Sequence, residues 1–123
     1  MERKIAFEIG GDTFTAVLAS TPTADAIWNA LPLEASFSTW GDEIYFDTGV
    51  EPVPDEEHET VALGDVGYWP PGRALCLFYG ATPMSGPGEI RPASPVAVLG
   101  KLEGDPRALK NVRGRRIRVR RLS

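Results

Sequence analysis

Aromatic and soft apolar side chains, with a few hydroxyl and guanidinium groups, cluster around three turn-forming segments of the sequence. These segments are residues 40–46, 64–72 and 80–95. Largely apolar pockets that carry a few polar groups are the usual binding sites for small molecules and peptides. We therefore predict a site for a small molecule or an extended peptide. Its predicted ligand-binding residues are Trp40, Tyr45, Tyr68, Trp69, Met84, Ser85, Arg91 and Ser94.

A competing interpretation places the aromatic side chains of this region in the hydrophobic core. The core is favoured for Phe46 and Phe78, because both lie in apolar runs typical of strands. For Tyr68 and Trp69 both interpretations stay open. The two prolines that follow them lack N–H groups, which ends sheet pairing and exposes the chain.

Groups that typically perform catalysis are scarce in this sequence. The single cysteine, Cys76, lies between leucines and is most simply a small core residue; a reactive thiol is the minor alternative. The only histidine, His58, lies in an acidic loop that we expect to be solvated, with a weak divalent-cation site as the minor alternative. No glycine-rich phosphate motif and no serine with a plausible histidine base is present. We therefore predict no catalytic residue, no metal site and no cofactor.

The charged residues are unevenly distributed along a chain of net charge −4. Every acidic residue lies at or before Asp105, and six arginines lie within residues 113–121. A basic end of this kind can bind nucleic acid. In residues 116–120, however, charged and apolar side chains alternate as in a half-buried strand. We favour a solvated strand face and predict no nucleic-acid partner, because the acidic remainder would repel phosphates.

Membrane and secretion signals are missing from the sequence. No segment has the about 20 consecutive apolar residues of a membrane helix. The first residues alternate in polarity and lack the apolar run of a signal peptide. One cysteine cannot form an internal disulfide, which agrees with a reducing compartment. These features predict no membrane partner and a cytoplasmic location.

Hydrophobic periodicity predicts the elements that position these residues. Strands are predicted at residues 4–9, 13–18, 33–40, 43–47, 61–69, 74–79, 96–102 and 116–120. Short helices are predicted before Pro32, beginning at Pro22 if Thr21 is the cap or at Ala24 if Thr23 is the cap, and at residues 106–110, capped by Asp105. The length suits one domain, residues 1–123. Many short strands separated by turns predict a mainly β fold: a closed eight-stranded antiparallel barrel with two short helices over its ends.

Three segments are informative through their particular residues as well as through their hydrophobic periodicity. They are Thr-Trp-Gly-Asp-Glu-Ile-Tyr-Phe at residues 39–46, Gly-Asp-Val-Gly-Tyr-Trp-Pro-Pro-Gly at residues 64–72, and Gly-Ala-Thr-Pro-Met-Ser with Ile-Arg-Pro-Ala-Ser at residues 80–85 and 90–94. Their combination and spacing resemble a family of small prokaryotic cyclophilin-like proteins of uncharacterised function. The resemblance covers nearly the whole chain, and it implies an eight-stranded barrel of the cyclophilin type.

The resemblance also raises the question of prolyl isomerisation. Typical cyclophilins use an arginine aimed at the prolyl amide nitrogen, an apolar proline pocket and a Phe-Met-x-Gln stretch. This chain has no glutamine and no Phe-Met pair, and neither Arg73 nor Arg91 lies in the typical arginine motif. We therefore favour a binding module without typical prolyl isomerase activity. A divergent peptidyl-prolyl cis-trans isomerase is the alternative, and a homo-oligomeric or accessory module that uses exposed aromatic side chains is the third hypothesis.

Overall fold

Nine strands, all paired antiparallel, form one sheet in the computed structural model, which describes residues 2–122. The strands are β1 (Lys4–Ile9), β2 (Asp12–Leu18), β3 (Leu33–Ser36), β4 (Ser38–Thr39), β5 (Glu43–Asp47), β6 (Asp65–Trp69), β7 (Ala74–Phe78), β8 (Ala97–Leu102) and β9 (Arg116–Arg121). An α-helix, α1 (Pro22–Ala30), follows β2, and 3₁₀ turns at Pro70–Gly72 and Pro106–Asn111 precede β7 and β9. The mainly β prediction is confirmed.

The sheet is nearly closed into a barrel by one stretch of chain that lies at both of its edges. Neighbouring strands follow the order β3-β9-β1-β2-β8-β6-β7-β5-β4. The first and last strands in this order are consecutive in sequence, separated by Phe37 alone. The first half of the stretch pairs with β9 and the second half with β5. Closure of this kind reduces the number of unpaired backbone groups that an open sheet would expose.

The nine strands differ from the eight predicted because the strand expected at residues 33–40 is divided at Phe37. The Phe37 N–H donates a hydrogen bond of 2.8 Å to the Arg115 carbonyl, and the Phe37 ring enters the core. Beyond it, the Trp40 N–H donates to the Glu43 carbonyl at 2.9 Å. The chain therefore changes its pairing partner in the middle of the predicted strand.

Helix α1 lies where the sequence predicts it, and Thr21 rather than Thr23 is its N-cap. The Thr21 hydroxyl accepts a hydrogen bond of 3.1 Å from the Ala24 N–H. Ile27 is fully buried, and Leu31, which follows the helix, also lies in the core. A helix of barely two or three turns depends on such packing.

Trp28 joins α1 to the two ends of the chain. The guanidinium carbons of Arg3 and Arg121 lie 5.5 and 4.6 Å from its ring centre. The Arg121 side chain also donates two hydrogen bonds, of 2.7 and 3.0 Å, to the Trp28 carbonyl. The indole of Trp28 is therefore enclosed by cations, as favoured by the negative face of an aromatic ring.

The second predicted helix is a 3₁₀ segment, Pro106–Asn111. The Asp105 carboxylate caps it by accepting a hydrogen bond of 3.0 Å from the Arg107 N–H, and Leu109 enters the core. No helix within residues 2–122 combines the length and the apolar character needed to cross a membrane.

The arginine-rich strand β9 has the alternation that the sequence predicts. Ile117 and Val119 are buried, whereas Arg116 and Arg118 are exposed. Arg116 forms an ion pair of 3.2 Å with Glu34 of the neighbouring strand β3. The basic end of the chain is therefore a solvated strand face with an acidic cross-strand partner.

Strand β7 is buried on both faces, as its continuous apolar run predicts. Leu75 and Leu77 belong to the main core inside the barrel. Cys76 and Phe78 point to the opposite face, where they form an outer cluster with Val96. The barrel therefore has apolar surface on its outside that other parts of the chain must cover.

Two long connections cover this outer cluster. One connection, residues 48–64, joins β5 to β6, and the other, residues 79–96, joins β7 to β8. Val61 of the first connection pairs with Ile90 of the second through a β-bridge, and both side chains pack against the outer cluster. The two connections are therefore ordered parts of the fold, and they place the candidate site described below.

The turn between β1 and β2 requires glycine for two separate reasons. Pairing continues to Ile9 and Asp12, so Gly10 and Gly11 alone form the turn, with φ angles of 56° and 90°. These positive angles are typical of a type I′ hairpin turn. A side chain at Gly10 would also overlap the backbone of Arg113, whereas nothing lies close to Gly11.

We expect Gly10→Ala to destabilise the chain more than Gly11→Ala does. The Gly11 substitution should lower the free energy of unfolding by about 1 kcal/mol, the cost of a left-handed alanine. The Gly10 substitution should cost roughly a further 1–3 kcal/mol because the backbone must move. Urea denaturation of both variants measures the difference, and equal losses would contradict the close approach at Gly10.

Candidate functional site

A cavity of about 260 Å³ lies on the outer face of the barrel, beside the outer cluster. Its walls come from the turn before β5, from β5 itself, from the end of β6 and from the connection after β7. The lining residues are Trp40, Glu43, Tyr45, Trp69, Pro92 and Ala93. Three aromatic side chains and one carboxyl group therefore surround the same space.

Strand β5 contributes two lining residues, Glu43 and Tyr45. Alternate residues of a strand face the same side, so the two side chains share the outer face. The register places them opposite Phe78 and Cys76 of β7. The outer cluster is therefore the floor on which the cavity is built.

Trp69 ends β6, and its indole is held in place from two sides. The Trp69 Nε1–H donates a hydrogen bond of 2.6 Å to the Ser94 hydroxyl. On the other side, a Cβ atom at Gly72 would lie 2.8 Å from two ring atoms of Trp69. The 3₁₀ turn Pro70–Gly72 therefore packs directly against the indole, and the absence of a side chain at Gly72 permits this contact.

The connection after β7 is folded by its own polar side chains. The Ser85 hydroxyl accepts hydrogen bonds from the backbone N–H groups of Thr82, at 2.9 Å, and Arg91, at 3.0 Å. The buried Thr82 hydroxyl donates to the Arg91 carbonyl. The Arg91 guanidinium pairs with Glu89 at 2.8 Å. These bonds set the position of the two cavity-lining residues that follow Arg91.

Glu43 is the charged residue of the cavity wall. Glu43 as a whole residue is only 6 % exposed to solvent. Burial raises the pKa of its carboxyl above the ordinary value, and the Cys76 thiol beside it offsets this effect in part. A carboxylate with so little access to water is costly unless another group compensates its charge.

Cys76 is a core residue, as the sequence predicts, and it is 1 % exposed. Burial raises the pKa of its thiol well above the ordinary value, and the charge of Glu43 raises it further. Because the thiolate is the nucleophilic form, this environment opposes a role for Cys76 as a nucleophile.

Four of the predicted ligand-binding residues come together at the cavity. Trp40, Tyr45 and Trp69 line it, and Ser94 holds the indole of Trp69. The two turns that flank these aromatic side chains are far apart in sequence, and the pairing of β5 and β6 on either side of β7 brings them together.

The other four predicted residues lie outside the cavity wall. Tyr68 is 2 % exposed in the main core, and its hydroxyl donates to the Val50 carbonyl. It precedes Trp69 by one position in β6, so the strand alternation places it on the inner face. Met84 is exposed to solvent, while Ser85 and Arg91 hold the connection after β7 together.

Three lining residues, Glu43, Pro92 and Ala93, are missing from the sequence-based set. The alternation of side chains along a strand could have predicted Glu43 as a lining residue, because Glu43 lies two residues before Tyr45 and so on the same face of β5. No such signal exists for Pro92 and Ala93. Their position depends on how an irregular connection folds.

The two arginines considered for prolyl isomerisation lie outside the cavity wall. Arg73 has a positive φ of 49° at the end of the 3₁₀ turn, and its guanidinium lies 3.1 Å from the Glu51 carboxylate. Arg91 is paired with Glu89 as described. Each guanidinium is therefore engaged by a carboxylate of its own.

No group of three or more His, Cys, Asp or Glu side chains in residues 2–122 is arranged to hold a metal ion. The imidazole of His58 lies 3.6 Å from the Glu56 carboxylate, and the backbone of His58 forms a β-bridge with Val96. The acidic segment around His58 thus contributes a backbone contact to the covering of the outer face.

Comparisons with known proteins agree with this architecture. A family model described as cyclophilin-like matches residues 3–120. The chain is similar to the hypothetical protein AF2241 from Archaeoglobus fulgidus, known from a solution structure, with 37 % identity, coverage of 98 % of this chain and 95 % of that chain, and a TM-score of 0.82. It is also similar in fold to McbB in complex with tryptophan, with 18 % identity, coverage of 94 % of this chain and 44 % of that chain, and a TM-score of 0.72. No curated protein matches.

The raised pKa of Glu43 has a consequence for stability. At pH values between the unfolded pKa of Glu43, about 4.3, and its higher folded pKa, the folded chain binds more protons at this group than the unfolded chain does. The free energy of unfolding contributed by this group therefore falls as pH rises through that interval.

We expect Glu43→Gln to remove this loss. Below about pH 4 the native chain and the variant should depend on pH alike, and between there and neutral pH the difference in the free energy of unfolding should move in favour of the variant. Chemical denaturation, repeated at steps of about one pH unit between pH 4 and 8, measures the free energy of unfolding of both chains. Glu57→Gln, which removes a charge from an exposed position, is the control. A difference between Glu43→Gln and the native chain that is independent of pH would contradict this account of Glu43.

Proposed function

The chain belongs to the cyclophilin-like family, and from this premise we propose that its outer-face cavity binds a small molecule or one side chain of an extended peptide. The observation that carries the proposal is the convergence of Trp40, Tyr45 and Trp69 around one cavity. The three side chains come from separate segments, so their convergence is a property of the folded barrel.

The size of the cavity limits its occupant. A volume of about 260 Å³ lies just below the range of roughly 300–1,000 Å³ that is typical of sites for drug-sized ligands. A cavity of this size suits a single amino-acid side chain or a molecule of comparable size. A longer peptide would place one residue in the cavity and run across the surface beside it.

The polar contacts around Trp69 support binding without large rearrangement. The indole is held by Ser94 and by the turn at Gly72, and the opposite wall is held by the Ser85 hydrogen bonds. A site whose walls are already ordered loses less conformational entropy when a ligand arrives. Ligand capture is therefore consistent with the way in which this surface is folded.

The solved structures that resemble the chain supply a first probe. McbB is described in complex with tryptophan, and at 18 % identity its likeness to this chain concerns the fold. Tryptophan is nevertheless a reasonable first probe, since it is an amino acid whose side chain presents an aromatic surface to an aromatic-walled cavity.

Prolyl isomerisation is less well supported than binding. An isomerase of the typical kind needs a guanidinium aimed at the prolyl amide nitrogen, because the barrier to rotation about the peptide bond is about 20 kcal/mol. Neither Arg73 nor Arg91 lines the cavity, and each is paired with a carboxylate. We therefore propose a binding module without typical isomerase activity. A cytoplasmic location and homo-oligomer formation stay predictions.

We expect a ligand in the cavity to change the NMR signals of two of the three tryptophan side chains. The indole N–H resonances of Trp40 and Trp69 should shift on titration, because both indoles line the cavity. Trp28, packed between Arg3 and Arg121, is the internal control and should not shift. The probes are free tryptophan, a fragment library and a library of proline-containing peptides.

Single Trp→Phe variants assign the three indole signals in that experiment. Replacing Trp69 should also weaken binding, whereas replacing Trp28 should leave the affinity unchanged. The proposal fails if no probe shifts Trp40 or Trp69, or if the shifts are confined to Trp28 and its neighbours.

We expect no acceleration of prolyl isomerisation in a protease-coupled peptide assay. The rate with the chain present should equal the uncatalysed rate, and a variant lacking both Arg73 and Arg91 should give the same rate. An acceleration that disappears when either arginine is replaced would support the isomerase alternative instead.

A further inference from the structure

We propose that the occupant of the cavity carries an organic ammonium group, which lies among the aromatic rings and next to the Glu43 carboxylate. This inference rests on the proposed function, because it names the chemical class that the same cavity selects. It depends on three observations: the aromatic walls, the burial of Glu43, and the pairing of the neighbouring guanidinium groups elsewhere.

The first observation is the aromatic composition of the walls. The faces of tryptophan and tyrosine rings carry partial negative charge, and they attract a cation within about 6 Å of the ring centre. Two tryptophans and one tyrosine line this cavity. The chain already uses this interaction at Trp28, where two guanidinium groups lie within 5.5 Å of the ring centre.

The second observation is the state of Glu43. Several other carboxylates receive hydrogen bonds from N–H or O–H donors, as Glu103 does from Thr15 at 2.7 Å and from Lys4 at 3.1 Å. Among residues 2–122, no N–H or O–H group donates to the Glu43 side chain, and the weakly donating Cys76 thiol lies beside it. Glu43 is therefore a largely buried residue whose carboxyl group opens into the cavity and has no N–H or O–H donor among residues 2–122.

The third observation is that the neighbouring cations of the chain are engaged elsewhere. The guanidinium of Arg91, close in sequence to the cavity wall, is held by Glu89, and that of Arg73 is held by Glu51. Neither residue lines the cavity. In the part of the chain that the structure describes, no Lys, Arg or His side chain lines the cavity, so the position next to the Glu43 carboxyl is open to a cation carried by a ligand.

The chemistry of the wall favours an organic ammonium ion over a metal ion or an anion. Calcium binds six to eight oxygen ligands and magnesium demands octahedral geometry, whereas a single carboxyl group lines this cavity. An anion would be repelled by Glu43. An alkylammonium group instead presents both methyl or methylene surface to the rings and positive charge to the carboxylate.

The experiment compares choline with 3,3-dimethylbutan-1-ol, its neutral analogue of nearly the same shape, on the full chain. Both are titrated while the indole N–H signals of Trp40 and Trp69 are followed, with Trp28 as the internal control. We expect choline to bind at least about tenfold more tightly than the alcohol. Equal affinities, a preference for the alcohol, or no shift with choline would overturn the inference.

Two variants test the part played by Glu43. In Glu43→Gln the preference for choline should fall to about threefold or less, while the affinity for the alcohol should stay within a factor of about two. Glu57→Gln, which removes the same charge from an exposed position, should keep the full preference. A full preference retained in Glu43→Gln would overturn the assignment to this carboxylate. The ratio measured on the unmodified chain decides the ammonium preference even if the Glu43 variant does not fold.

The same titrations separate this inference from the proposed function. If choline fails but the fragment or peptide probes shift Trp40 and Trp69, the cavity binds ligands and the ammonium preference is wrong. If no probe of any class shifts these indoles, the proposed function fails, and the inference fails with it.

Discussion

Backbone N–H and C=O groups at the edges of a sheet must find partners or remain exposed to pairing with other chains, and the rest of this structure depends on how that requirement is met. The stretch from Leu33 to Thr39 lies at both edges, since its two halves pair with β9 and with β5. The change of partner at Phe37 allows one stretch to serve both edges. Because the sheet is nearly closed, its inner face forms the main core, and any further apolar surface must be covered from outside.

That outside surface explains why the connections of this fold are long. The outer cluster around Cys76 and Phe78 is covered by the connections before β6 and after β7, which meet at Val61 and Ile90. Burial of apolar surface stabilises the fold by roughly 25 cal/mol for each Å². This stabilisation offsets the conformational entropy that is lost when the connections become ordered. The cavity lies at the border of the cover, where the aromatic side chains lie beside Pro92 and Ala93 without filling the space.

Charged side chains differ in solvent exposure and in partners between strand β9 and the cavity. On β9, the exposed Arg116 and the half-buried Arg120 pair with acidic side chains of neighbouring strands, and water screens these pairs so that each contributes little. At the cavity, Glu43 is buried beside aromatic rings and a protonated thiol, and its pKa rises because water is excluded. Glutamate side chains therefore pair with arginines in water on the β9 face, whereas Glu43 at the cavity is largely removed from water and has no such partner among the described residues. The ammonium hypothesis depends on this difference.

The sequence by itself predicted the positions of most strands and of α1, the Asp105 cap, the apolar strand β7 and a mainly β barrel, because period-two alternation, turn residues and apolar runs are local signals. The cyclophilin type of that barrel came from the family resemblance. The choice of Thr21 over Thr23 as the cap of α1, and the division of one predicted strand into β3 and β4, came from the structure. The sequence also grouped Trp40, Tyr45 and Trp69 in one predicted site, because their aromatic side chains lie around turn-forming segments of the sequence. Only the tertiary structure decided that Tyr68 faces the core, that Ser85 and Arg91 stabilise a connection, and that Glu43 lines the cavity. Strand alternation puts Glu43 on the same face as Tyr45, and Tyr68 on the face opposite Trp69. Which face of the barrel is inside, and which residues of distant segments meet, is not encoded in that spacing.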